Sequence, residues 1–160
     1  MTADVGELLR RLSKAGVEFI VVGGAAAVLH GAPITTEDLD IVHRRTPDNV
    51  ARLKALLDDL RAHVRELANR RLPVSKSALA GERHVLVTTA LGPLDCLGTI
   101  VEGRGFEELL SHSETVSDEG TEFRVVDLPT LIEIKKKTGR AKDRLMLPVL
   151  VALRDELEGR

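Results

Sequence analysis

Apolar residues recur at helical spacing over Val5–Ala15, with Val5, Leu8, Leu9 and Leu12 on one face and Gly16 placed to stop the helix. Val17–Val22 (VEFIVV) is β-branched and nearly free of charge, the pattern of a buried strand. Gly23-Gly24 then marks a turn, and alanine-rich Ala25–His30 a short helix closed by Gly31. Asp38–His43 (DLDIVH) predicts a second strand. Thr46-Pro47 opens a helix whose stripe is Val50, Leu53, Leu56, Leu57 and Leu60. His63–Glu82 shows little periodicity and predicts a short helix or a surface loop.

Farther on, Arg83–Leu91 and Leu94–Val101 predict a hairpin turning at Gly92-Pro93. Phe106–Leu110 predicts a short helix. Glu114–Ser117 and Glu122–Val126 predict a second hairpin around Asp118-Glu119-Gly120. Leu128–Lys137 predicts a helix stopped at Gly139. Pro148 predicts a break between a short helix near Lys142 and a last one over Pro148–Leu157. Early alternation of helices and strands with later hairpins points to an α/β (α+β) domain: a mixed β-sheet with helices packed on it.

Composition narrows the classes. The 160 residues suit one domain with a real core. The apolar runs are too short to cross a bilayer, and the N-terminus lacks a basic-then-apolar export pattern, so a cytoplasmic protein off the membrane is expected. One cysteine, Cys96, excludes an internal disulfide and a cysteine zinc cluster. The net charge is −2, yet Leu131–Arg144 carries +4. Such a run is most often a solvated helix face and otherwise marks a localised anion partner. The three aromatic residues, all Phe, offer no stacking platform, which counts against a general RNA-binding module built on the Lys135–Arg144 patch.

The chemistry gathers around Asp38 and Asp40. Residues i and i+2 of a strand share a face, with Cα atoms roughly 6.5 Å apart. The two carboxylates would lie side by side while Leu39 and Ile41 turn to the core. Such a pair repels itself unless a cation intervenes, and its oxygens suit Mg²⁺. Taken alone, D-x-D is more often a cap and an exposed acid. Beside a glycine turn between a buried strand and a helix, where backbone N–H groups can meet phosphate, it outlines a nucleotide site. Asp95, between Leu94 and Cys96, is read either as an edge-strand charge or as a third carboxylate converging with the pair.

An apolar strand, Gly23-Gly24, residues 25–37 and then Asp38-Leu39-Asp40-Ile41 resemble the nucleotidyltransferase superfamily of the DNA polymerase beta type. Asp95 matches its later acid. The closer resemblance is to small bacterial AbiEii/MenT-type nucleotidyltransferases. It lies in GG-x-A-x-x-x-H-G at Gly23–Gly31, in L-I-x-x-K at Leu131–Lys135 and in G-R-x-K-D at Gly139–Asp143.

The resemblance implies one minimal nucleotidyltransferase domain over residues 1–160. It would move an NMP from an NTP to a hydroxyl of a tRNA, a protein or a small molecule. Asp38, Asp40 and Asp95 would hold Mg²⁺, two ions about 3.5–4 Å apart, and Asp95 would also take the hydroxyl proton. Gly23, Gly24, Lys135 and Lys142 would meet the phosphates. Thr35 or Thr36 matches the hydroxyl that closes the loop before the acids, and Thr36 enters the expected site. Lys136 and Lys137 are expected in solvent. His30 and His43 are expected to pack or hydrogen-bond, and His63, His84 and His112 have no metal-ligand spacing. A toxin–antitoxin component is implied, with an antitoxin or a second copy as partner. The alternative is a non-catalytic nucleotide-binding or antitoxin-like partner on the same fold.

Overall fold

The computed structural model describes residues 1–65 and 71–159. Its centre is one seven-stranded mixed sheet, ordered β3-β4-β5-β2-β1-β7-β6. The elements follow the chain as α1 (Val5–Lys14), β1 (Phe19–Val22), α2 (Gly23–Leu29), β2 (Leu39–His43), α3 (Pro47–Asp59), β3 (His63–Val64) and α4 (Lys76–Ala80). Then come β4 (His84–Thr89), β5 (Gly92–Leu97), a 3-10 turn (Val101–Gly103), α5 (Phe106–Leu110), β6 (Ser113–Asp118), β7 (Thr121–Val126), α6 (Leu128–Thr138) and α7 (Ala141–Glu158). No helix among the described residues is long and apolar enough to cross a membrane.

Two parallel pairings set the site. β1 runs antiparallel to β2 and parallel to β7, while β2 runs parallel to β5. All four residues of β1 are buried, as helices on both faces of a central strand require. Leu39 and Ile41 of β2 are fully buried, so the intervening Asp40 faces the other way. The helices start where expected for local reasons. Asp4, Thr46 and Asp127 each accept a backbone N–H at the head of α1, α3 and α6. Gly139, with φ +65°, ends α6 in the left-handed conformation.

Three expectations on the elements change. The first hairpin turns at Ala90-Leu91, and Gly92 and Pro93 open β5 instead. Gly92 is needed there because φ is +103° and a Cβ would lie 2.6 Å from Ala3 Cα. Pro93 precedes Leu94, the first β5 residue paired with β2, so its missing N–H costs that ladder nothing. Pro148 does not break the last helix, because α7 is continuous through it. Pro148 and Arg144 are both exposed, so water can take the carbonyl that the ring leaves unbonded. The glycine turn is also absorbed into α2, which begins at Gly23 itself. Of His63–Glu82, the described part holds β3 and α4; residues 66–70 lie outside the described residues.

Candidate metal and nucleotide site

Asp38 is the last residue before β2, Asp40 lies within it, and Asp95 pairs with Asp40 in the parallel ladder to β5. Parallel register points both side chains to one face. One carboxylate oxygen from each of the three residues lies within 4.8 Å of the others. Sequence spacing supplied the first two; only the β2–β5 pairing brings in the third.

These acids are costly neighbours. Burial pushes the Asp40 carboxyl up to about 8, with further upward pressure from Asp38 and Asp95. Asp38 is raised for the same reasons, burial first and then Asp95. Asp40 Oδ1 is buried without a hydrogen-bond partner, an expensive state for a carboxylate oxygen. An electropositive ligand would satisfy that oxygen and offset the mutual repulsion. Oxygen donors at this spacing suit a hard dication such as Mg²⁺.

The two glycines have a role that spacing alone does not reveal. Gly23 has φ +66°, and a Cβ there would lie 2.4 Å from Asp40 Oδ2. A Cβ on Gly24 would lie 3.1 Å from Thr36 Oγ1. The glycines therefore make room for the site's own side chains. Thr36 Oγ1 donates to the Asp38 carbonyl at 2.9 Å and closes the loop before the acids. Thr35 is exposed.

Beside Asp40 lies a cavity of about 170 Å³, walled by Leu97, Ile100, Leu131 and Ile134, with Gly23 and Lys135 also lining it. Lys135 is 6% exposed and donates to Asp143 Oδ1 at 2.9 Å. Asp143 is fully buried and also accepts from Thr138 Oγ1 at 2.5 Å and Arg140 Nε at 2.9 Å. Burial works against its charge, but those bonds outweigh it and hold the carboxyl down at about 2. Lys135 thus reaches the site as half of a buried ion pair, and its charge works against the rise at Asp40. Lys142 is exposed, and its charge acts on Asp38. Lys136 and Lys137 are exposed.

Three site residues escaped sequence reasoning. Arg65, just past β3, places Nη2 2.8 Å from Asp95 Oδ1 and donates to the Val87 carbonyl at 2.6 Å. It sits in the stretch without periodicity, where no local signal marks it. Asp143 belongs to the G-R-x-K-D motif, and its eight-residue separation from Lys135 is a signal legible only once the turn between α6 and α7 is known. His84 lines the cavity beside Asp40 and donates through Nε2 to the Thr99 carbonyl at 3.0 Å, at no metal-ligand spacing. His30 and His43 behave as packing residues. His30 Nε2 bonds to the Val126 carbonyl, and buried His43 Nε2 to that of Leu79, both at 2.7 Å. Cys96 is fully buried, and burial pushes its thiol up to about 12.

No protein-family model matches the chain. No curated protein matches it either. Solved structures do. A Thermotoga maritima protein provisionally named a nucleotidyltransferase (TM1012) superposes with a TM-score of 0.57 at 16% identity, over 98% of this chain and 91% of that one. The solution structure of the antibiotic-resistance factor ANT(2'')-Ia gives a TM-score of 0.54 at 14% identity, over 98% and 90%. At these identities the likeness is one of fold, a nucleotidyltransferase-like mixed α/β sheet; the clustered carboxylates of Asp38, Asp40 and Asp95 are an observation on this chain.

Proposed function

We propose that the chain is a metal-dependent nucleotidyltransferase that moves an NMP from an NTP to a hydroxyl acceptor and releases pyrophosphate. The observation that carries this reading is the convergence of Asp38, Asp40 and Asp95 across β2 and β5, with a buried, unpartnered oxygen on Asp40. Asp38 and Asp40 would hold the first Mg²⁺, and Asp95 would complete a second site. Bound there, the ions would supply Lewis-acid charge at the α-phosphoryl group and at the attacking and leaving oxygens.

The chain's own residues supply the rest. Gly23 leaves space for the Asp40 carboxylate, and Thr36 holds the loop that presents Asp38. Asp95 is the base for the attacking hydroxyl. Lys135, fixed by Asp143, offers a cation at the cavity wall for the substrate's phosphates, and Lys142 adds a second from the surface. The apolar wall of Leu97, Ile100, Leu131 and Ile134 suits the uncharged part of the nucleotide. Gly24 keeps the backbone open for phosphate close to Thr36.

The closer AbiEii/MenT-type reading rests on the GG-x-A-x-x-x-H-G and G-R-x-K-D motifs. It implies a toxin role, with an antitoxin or a second copy as partner. Growth arrest on expression, relieved by D38A/D40A, would support that role; harmless expression of active enzyme would remove it. A second reading, a non-catalytic nucleotide-binding or antitoxin-like partner, draws on one observation: Asp95 already lies in an ion pair with Arg65.

Each α-³²P-labelled NTP, incubated with Mg²⁺ and a cell extract, separates the two. Label transferred by the wild type and not by D38A/D40A supports the enzyme, and the labelled band names the acceptor as tRNA, protein or small molecule. Nucleotide binding with no transfer to any acceptor class supports the second reading.

A further inference from the structure

We propose that Arg65 is a built-in counter-ion that holds Asp95 out of the metal set in the resting protein, so that the free site takes one divalent ion and not two. The inference rests on the metal-dependent reading above and adds a control within it.

The three carboxylates are not equivalent. Among the described residues, Asp38 and Asp40 have no ion pair, whereas Asp95 Oδ1 lies 2.8 Å from Arg65 Nη2. Arg65 is anchored twice more, by Nη2 on the Val87 carbonyl and by its own N–H on the Leu86 carbonyl at 2.9 Å. Leu86 is the β4 residue opposite Asp95, so the backbone ladder delivers the guanidinium to that carboxylate. The arrangement has a cost: Arg65 Nε and Asp95 Oδ1 are both buried without a hydrogen bond, so the two groups are held together as an ion pair alone. A contact kept despite an unsatisfied donor points to a role at Asp95 rather than to general stability.

A second dication on Asp95 would meet the guanidinium as a like charge a few ångströms away. It can bind only if Arg65 withdraws. The fold offers a place for it. A cavity of about 410 Å³ opens beside β4 and α4, lined by Arg65, Ser77, Arg83 and His84, with no carboxylate among its described lining residues. An incoming anionic group there would draw Arg65 off Asp95 and complete the two-ion site.

The test counts ions. Metal-free protein is titrated with Mn²⁺, without nucleotide, and free Mn²⁺ is read by electron paramagnetic resonance. Wild type is expected to bind one ion, and Arg65→Lys, which keeps the charge, should do the same. Arg65→Met should bind a second ion, or bind the first on the order of tenfold more tightly, because the competing charge is gone. Arg65→Gln, which can still bond to Val87, repeats the test should the Met variant not fold by circular dichroism. Neutral variants that bind Mn²⁺ as wild type does, or more weakly, overturn the inference and leave the metal reading standing. No Mn²⁺ bound by any of these proteins overturns the metal reading and the inference with it.

Discussion

Asp143→Asn is the sharpest test of how the cavity beside Asp40 is built. The substitution keeps shape and removes charge, leaving Lys135, 6% exposed, without its partner at 2.9 Å. Breaking a buried pair from one side costs about 3–5 kcal/mol, because the remaining charge is uncompensated. At roughly 2–4 °C per kcal/mol for a chain of this size, the melting temperature should fall by about 10 °C. Lys135→Met together with Asp143→Leu removes both charges and should recover most of that loss. The carboxyl also carries a pH signature. Its folded pKa of about 2 lies well below the ordinary carboxylate value. The stabilisation is therefore present above pH ~4 and lost as pH falls towards ~2, amounting to about 2 kcal/mol. Asp143→Asn should flatten that acid limb. With no Trp or Tyr in the chain, urea unfolding followed by far-UV circular dichroism is the suitable assay. A loss below about 1 kcal/mol, or a double variant no more stable than the single one, would refute the view that this pair is a buried strut.

Gly23→Ala should cost about 1–3 kcal/mol from left-handed strain and the close approach to Asp40, and should weaken Mn²⁺ binding measured by titration; Gly24→Ala, with its contact at 3.1 Å, should do less. Asp40 binds its proton more tightly folded than unfolded, so metal-free protein should lose stability as pH rises from about 4 to about 8. Melting curves in EDTA should show that slope, and Asp40→Asn should reduce it, leaving the smaller part that comes from Asp38, and raise the melting temperature at pH 8. Mg²⁺ added to wild type at pH 8 should restore stability by binding the ionised acids. Cys96, buried and held high, should react with a thiol reagent only on the timescale of unfolding, and prompt reaction in native buffer would contradict its placement.

Much of this molecule was legible along the chain because it depends on local rules. The periodicity of α1 and α3, the capping residues Thr46 and Gly139, and the hydrophobic run of β1 all act within a turn or two. The same locality made Asp38 and Asp40 readable as a pair, since strand alternation alone sets their common face. Asp95 could be nominated by type, but its place beside Asp40 depends on β2 and β5 pairing in parallel, a long-range contact that no spacing encodes. Pro148 misled for the converse reason: the local rule against a helical proline holds, but an exposed turn can bear the lost bond. Arg65 was invisible because it acts across a gap of thirty residues, from a stretch with no periodicity of its own, onto a carboxylate that the sheet brings to it. The sequence by itself determined which residues could bear the chemistry. Only the tertiary structure decided which of them meet, because burial and charge pairing are properties of the packed sheet.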